Sequence, residues 1–263
     1  MYRGERITAV IQARMGSTRL PNKVLMTLGD RPVIWHVIQR LKTVELIDDI
    51  IVATSTRRRD NPLAAYIEQF DDSRVELFRG PEEDVLQRFY LALQSHADPP
   101  HAVVRITGDS PLLSVRHLER MITHLIDNRL DGVDAHHRRT GLTLGFGTEV
   151  YHHQALVDAH LLAHRPEQRE HVSLFIKQRP CAFRVEYPKP DPRLCSPFRL
   201  TLDYPQDYWL IERLYGALYQ PGEIIDCTRA LTWLGDRPDI AEVNADCNQI
   251  DPVQGASDAV AGP

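Results

Sequence analysis

Through its first half the chain alternates short β-rich runs with longer segments of helical period, and that alternation leaves few folds open. ITAVIQ (7–12), DIIVATS (49–55), VELFRG (75–80) and AVVRIT (102–107) have the length of strands, and the first and last are almost wholly apolar. Between them, PVIWHVIQRLKT (32–43) sets Val33, Ile34, Val37, Ile38 and Leu41 on one face, with Pro32 near the first turn. A second helix is expected near 62–70, and a third over EEDVLQRFYLALQS (82–95), where Val85, Leu86, Phe89 and Leu93 share a stripe. LSVRHLERMITHLID (113–127) is a fourth, with Ser114 able to cap it. This βαβα order predicts an α/β fold of three layers, a mostly parallel sheet with helices on both faces.

The second half is less regular. GLTLGFGTEVY (141–151) reads as extended or hairpin structure broken by glycines, followed by helices near 153–164 and 167–178. AFRVEY (182–187) and FRLTLD (198–203) are expected strands, and PQDYWLIERLYGALY (205–219) a helix. Residues 250–263, ending in DPVQGASDAVAGP, have no hydrophobic period and are expected to form a disordered tail. No repeat or composition break divides the rest, so a single domain over 1–249 is expected.

In an open parallel sheet, ligands bind outside the carboxyl ends of the strands. The turn after the first strand, QARMGSTRLPNK (12–23), places Arg14, Arg19 and Lys23 around Gly16, Ser17 and Thr18. It is not a Walker A loop: after Gly16, positions 21 to 23 hold Pro, Asn and Lys where Gly, Lys and Ser or Thr belong. A dinucleotide fingerprint fails as well, because only one glycine is present. What remains is a cation-rich loop in which a bend at Gly16 brings backbone close to phosphate oxygens. Arg14, Arg19 and Lys23 would neutralise them, with Pro21 stiffening the approach to Lys23. The plain alternative is a solvated basic loop. The chain as a whole carries 31 basic against 36 acidic side chains, a net −5, so nucleic acid is not the expected partner.

Two further features concern metal chemistry. Asp109 in VVRITGDSPLL and Asp203 in FRLTLDYPQDY each follow a strand-like run, where carboxylates from distant sequence can converge on one divalent ion. Both can equally be helix N-caps. Arg105, inside an otherwise apolar strand, needs a phosphate or carboxylate partner. His160 and His164 have i,i+4 spacing but neither the Glu of HExxH nor a third ligand, so zinc is not expected. RRRD (57–60) reads as a solvated loop.

VIQARMGSTRLPNKVL resembles the N-terminal signature of sugar-acid cytidylyltransferases, in the spore-coat polysaccharide biosynthesis protein F branch related to CMP-Kdo and CMP-sialic acid synthetases. The likeness continues through IDDIIVATS, FRGPEEDVLQRF, VVRITGDSPLL, GTEVY, REHVS and RLTLDYPQDY, over about residues 7 to 215. The resemblance implies a nucleotide-diphospho-sugar transferase-like, Rossmann-type fold and CMP transfer from CTP to an anionic acceptor, with pyrophosphate released. It implies Mg²⁺ on Asp109 and Asp203, and nucleotide contacts from Gln12, Ala13, Arg14, Gly16, Ser17, Arg19 and Lys23. It also places Thr54, Ser55, Arg79, Gly80 and Asp84 on the nucleotide side, although Asp84 can be an ordinary first-turn helix residue. Glu149, Arg169, Glu170 and His171 are the expected acceptor residues, with Arg169 taking the acceptor's negative group; an internal Arg–Glu ion pair is the alternative for Arg169.

A sugar acid is the default acceptor, and a phosphonate or other small anion fits the same chemistry. Relatives imply a homodimer in which the 136–151 region takes part. A glycosyltransferase would commonly carry a DxD motif, which is absent, and a non-catalytic nucleotide-binding regulator would not need both aspartates and all three loop cations. Four cysteines without a CxxC pair, no run of about eighteen apolar residues and no secretory h-region make a reduced, cytoplasmic protein the expectation.

Overall fold

A computed structural model describes residues 1–95 and 98–249; the expected tail over 250–263 lies outside the described residues. A seven-stranded sheet is built from β1 (Ile7–Gln12), β4 (Asp49–Ser55), β5 (Val75–Gly80), β6 (Ala102–Thr107), β7 (Gly132–Asp134), β8 (Glu149–His152) and β9 (Val185–Glu186), in the order β5-β4-β1-β6-β8-β7-β9. β2 (Thr27–Leu28) and β3 (Arg31–Pro32) form a separate two-stranded ribbon. The first four strands of the sheet are parallel, and β8 runs antiparallel to both β6 and β7.

The helices are α1 (Val33–Lys42), α2 (Asn61–Ile67), α3 (Val85–Gln94), α4 (Val115–Asn128), α5 (His137–Thr140) and α6 (His153–Leu162), then α7 (Pro166–Glu170), α8 (Leu174–Lys177), α9 (Pro205–Leu218), α10 (Cys227–Gly235) and α11 (Pro238–Ala241). Two apolar cores lie on opposite faces of the sheet. Ile7, Ala9 and Ile11 of β1 join α1, α4, α9 and α10 on one side, while Val10 joins Phe89 of α3, Leu156 of α6 and Phe175 of α8 on the other. Burial on both faces explains the near-continuous apolar run of β1, each fully buried aliphatic side chain contributing about 1.5–3 kcal/mol. The architecture is therefore the three-layer, mostly parallel α/β fold expected from the alternation.

The departures lie in the second half. FRLTLD (198–203) is not a sheet strand: the Leu200 N–H pairs with the Leu144 carbonyl and the Leu202 N–H with the Asp109 carbonyl, docking the run on the loops after β6 and before β8. The expected helix over 167–178 is interrupted between α7 and α8, where His171 leaves helical geometry at ψ 81°. AFRVEY contributes only the two residues of β9. Gly145, at φ 100°, closes this region; a β-carbon there would lie 2.3 Å from the Leu200 carbonyl oxygen. Among the described residues, no helix is long and apolar enough to cross a membrane.

Candidate active site

β1 and β6 are neighbours in the sheet, but the chain leaves β1 towards β4 on one side and β6 towards β7 on the other, which opens a crevice between their carboxyl ends. Two contacts set the crevice floor. The Gly108 N–H donates to the Gln12 carbonyl at 2.9 Å, and Gly108 packs so tightly on Ala13 that an added β-carbon would lie 2.9 Å from the Ala13 methyl. Ala13 therefore joins the two strand ends by packing. Beyond it, the Met15 carbonyl accepts from the Ser17 and Asn22 N–H groups, and Ser17 Oγ accepts from the Leu20 N–H. Asn22, left-handed at φ 61°, starts the single 3-10 turn that carries Lys23 inward.

Lys23 Nζ donates to Asp109 Oδ2 at 2.6 Å, to Asp203 Oδ1 at 3.0 Å and to the Leu202 carbonyl at 2.7 Å. Three segments distant in sequence thus meet on one ammonium. Burial alone would raise the Asp109 carboxyl pKa, but Lys23 holds it below the usual carboxylate range. Burial would likewise lower the Lys23 pKa, and the two carboxylates raise it instead. Neither aspartate is a helix cap: Ser114 caps α4 and Tyr204 caps α9. Asp203 Oδ1 also receives Arg19 at 3.0 Å, and its Oδ2 receives Arg199 at 2.8 Å. Arg199 continues to Asp207, which accepts from the Asp203 and Tyr204 N–H groups and so fixes the turn into α9. The Arg19 guanidinium lies over the Tyr204 ring, 4.9 Å from its centroid.

Next to this centre a cavity of about 320 Å³ opens between β6, β8 and the 143–149 segment. Arg105 faces it, donating to Gln12 Oε1 at 3.0 Å and pairing with Glu149 Oε1 at 3.1 Å. The partner Arg105 requires is thus a carboxylate. Lys177 bridges Glu149 Oε1 at 2.7 Å and Asp134 Oδ2 at 2.8 Å. Burial would lower the Lys177 pKa, yet these carboxylates keep it well above the ordinary lysine value. Glu149 is held below its ordinary range against burial by Arg105 and Lys177, while burial and Glu149 push Asp134 up. His171 also lines the cavity, with burial lowering its pKa.

Several expected site residues lie elsewhere. Arg169 does not line the cavity. Its guanidinium grips Asp84 Oδ2 at 2.9 and 2.7 Å, reaches the His160 carbonyl at 2.6 Å and contacts His160 Nδ1 at 3.2 Å, tying α7 to the ends of α3 and α6. An arginine so occupied is a structural clamp, although with an aspartate and not the glutamate considered above. Asp84 is its partner and the N-cap of α3, accepting from the Gln87 N–H, the ordinary helix role considered for it. Glu170 is exposed and lines no part of the cavity. Arg79 spends its donors on the Ser55 and Arg57 carbonyls and on Asn61, and Ser55 Oγ donates to Asp60, so both residues hold the 55–61 turn. Thr54 is wholly buried, and Gly80 packs against Phe78 and Arg88. Gly16 is not left-handed, and its bareness makes room for the Arg59 guanidinium.

Asp134, Lys177, Arg199 and Tyr204 were missed by sequence reasoning. The available signal was the one that marked Arg105, a charge inside an apolar run: Lys177 ends LFIK, Asp134 ends GVD and Arg199 interrupts FRL.

A family profile described as cytidylyltransferase matches residues 8–220. The chain is 37% identical over 247 residues to an uncharacterized protein of Methanocaldococcus jannaschii, covering 93% of this chain and 96% of that one. It is 33% identical over 242 residues to the spore coat polysaccharide biosynthesis protein SpsF of Bacillus subtilis, covering 89% and 96%. A solved cytidylyltransferase of Leptospira borgpetersenii shares the fold, with a TM-score of 0.82 at 24% identity, over 94% of this chain and 99% of that one.

Proposed function

The chain belongs to the cytidylyltransferase family, and on that premise we propose that it transfers CMP from CTP to a small anionic acceptor, a sugar acid before other classes, with release of pyrophosphate. The observation that carries this reading is the convergence of Lys23, Asp109 and Asp203 on one point beside a cavity of about 320 Å³. Sugar acids come first because the residue-level resemblance is to sugar-acid synthetases and SpsF is named for polysaccharide biosynthesis.

The donor set fits a hard divalent cation. Asp109 and Asp203 already share one cation, the Lys23 ammonium, at 2.6 and 3.0 Å. Among the described residues no group of three or more His, Cys, Asp or Glu side chains is arranged for a metal, so phosphate and water oxygens would complete the shell. Mg²⁺ held by Asp109 and Asp203 would polarise the α-phosphate and offset the charge that builds there.

This chain's own residues then divide the work. The loop of Gln12, Ala13, Arg14, Gly16 and Ser17 carries the nucleotide over the end of β1, and Arg19 and Lys23 face its phosphates. Thr54, Ser55, Arg79 and Gly80 support the wall of that site from behind. The acceptor occupies the cavity, its negative group towards Arg105 and Lys177 and its hydrogen-bond donors towards Glu149 and His171. Its oxygen attacks the α-phosphorus in line, so positioning and fixed charge supply most of the rate. A homodimer involving residues 136–151 belongs to the same reading and is checked by light scattering. Pyrophosphate release with each of the four nucleoside triphosphates, across sugar acids, phosphonates and neutral sugars, tests the proposal. CTP with an anionic acceptor should exceed every other combination; equal turnover with a purine triphosphate would refute the cytidylyl assignment.

A further inference from the structure

The two ends of the first loop differ in charge. At the Lys23 end, Arg19, Lys23 and Arg199 meet Asp109, Asp203 and Asp207, three cations against three carboxylates. That end is charge-balanced, so its cations share the phosphates they face with carboxylates already in place. At the Arg14 end, a single carboxylate, Glu82, faces Arg57 at 3.1 Å, Arg59 in direct contact and Arg14 at 3.9 Å. The Glu82 side chain is 4% exposed, whereas those of Arg14, Arg57 and Arg59 are 41%, 63% and 54% exposed. With the buried Arg88 and Asp60 included, four guanidiniums stand against two carboxylates, which leaves two positive charges in surplus on an open rim.

The cluster is built into the crevice. Asp60 Oδ1 accepts from the Met15 N–H at 2.7 Å, and Ser55 Oγ donates to Asp60 while accepting from the Arg57 N–H at 3.1 Å. These bonds join the 55–60 turn to the loop after β1. The Arg59 guanidinium rests on Gly16, where a β-carbon would approach its Cζ and Nε to 2.8 Å. From below, the buried Arg88 donates to the Pro81 and Glu82 carbonyls at 2.6 and 3.2 Å, which fixes Glu82. The run RRRD is therefore more than a solvated loop.

We propose that Arg57 and Arg59, together with Arg14, form the subsite for the pyrophosphoryl end of the nucleotide and for the departing pyrophosphate, with Glu82 as the counterion that orients them. This rests on the reading of the chain as a nucleotidyltransferase. In the transfer, the acceptor oxygen bonds to the α-phosphorus as the α–β bridging P–O bond breaks. The electron pair leaves with pyrophosphate, and the acceptor's proton goes to solvent. Negative charge on the leaving group grows along this path, so cations fixed beside it favour the transition state over bound substrate.

The test is calorimetric binding of inorganic pyrophosphate and, separately, of CMP and CTP to the full chain and to Arg57→Ala, Arg59→Ala and Arg59→Lys. Both alanine variants should weaken pyrophosphate at least about tenfold, the scale of a lost charge-assisted hydrogen bond. Arg59→Lys should recover part of the loss, and CMP affinity should stay within about twofold, since CMP lacks the groups these arginines hold. Unchanged pyrophosphate binding in both alanine variants, with CTP still bound by the wild type, overturns the subsite alone. Parallel loss of CMP affinity and thermal stability overturns it too, in favour of a structural role. A wild-type protein that takes up neither pyrophosphate nor CTP overturns the nucleotidyl-transfer reading with it.

Discussion

Replacing Asp203 by Asn removes one negative charge with almost no change of shape, at the residue where three cations meet. Asp203 Oδ1 receives Lys23 and Arg19, each at 3.0 Å, and Oδ2 receives Arg199 at 2.8 Å. Whichever way the new amide faces, its NH₂ group meets an N–H donor. The side chain is 10% exposed, so water offers little relief. Breaking a buried pair outright costs about 3–5 kcal/mol. Here Lys23 keeps Asp109 and Arg199 keeps Asp207, so about 2–3 kcal/mol is expected for Asp203→Asn. At about 2–4 °C per kcal/mol for a domain of this size, the melting temperature should fall by about 5–10 °C. Among the described residues Asp109 pairs with Lys23 alone, so Asp109→Asn should cost about 1 kcal/mol. Both variants should lose at least about a hundredfold in kcat if the two carboxylates serve the reaction. Paired melting curves and pyrophosphate-release rates, at saturating nucleotide and divalent cation, read all four quantities. Near-normal kcat in both variants would show that the aspartates only hold the fold. A larger stability loss in Asp109→Asn than in Asp203→Asn would refute the charge arrangement described here.

Arg169→Lys loses the forked grip on Asp84 and should lower the melting temperature by several degrees, on the scale of about 1–2 kcal/mol, with acceptor KM unchanged within about twofold; a selective rise in acceptor KM would return Arg169 to the substrate. Lys177→Met leaves Asp134 and Glu149 facing each other without their shared ammonium and should cost about 3–5 kcal/mol by chemical denaturation; an unchanged midpoint would contradict the pairing. His117, buried with neither ring nitrogen hydrogen-bonded, has its pKa pushed down to about 4 by burial and by Arg120. The folded value lies below the unfolded one of about 6.5, so its contribution is fully present above pH ~6.5 and is lost as pH falls towards about 4, on the order of 3 kcal/mol in total. Urea titrations at pH 7, 5.5 and 4.5 should show this loss in the wild type and a flatter profile in His117→Leu; equal slopes would remove His117 as the cause.

Strands and helices buried on defined faces were the legible part of the fold. β1 and β6 carry their burial as continuous apolar runs, and α4 carries Ser114 at its cap together with an apolar stripe. The edge of the sheet was not legible, because β7 and β9 are three and two residues long and owe their pairing to β8 and to each other. FRLTLD has strand-like alternation, but its N–H groups find Leu144 and Asp109 in loops, a choice only the assembled fold offers. Lys23 and Asp109 could be picked out because each follows a parallel strand at the sheet's ligand edge, whereas Asp203 follows a strand-like run that joins no strand of the sheet. Arg169 could not be judged in the same way. Adjacency to His171 in REHV does not reveal that the chain leaves helical geometry between them, sending His171 to the cavity and Arg169 to Asp84.

In the proposed reaction the bond broken lies between the α- and β-phosphates. CTP carrying labelled phosphorus at the α position, incubated with Mg²⁺, the wild-type enzyme and a small-metabolite extract, reports on it directly. The label should move into a CMP-linked product in step with unlabelled pyrophosphate, and Asp109→Asn should abolish both. Label recovered in CDP alongside free phosphate would place the attack at the γ-phosphate and contradict the mechanism.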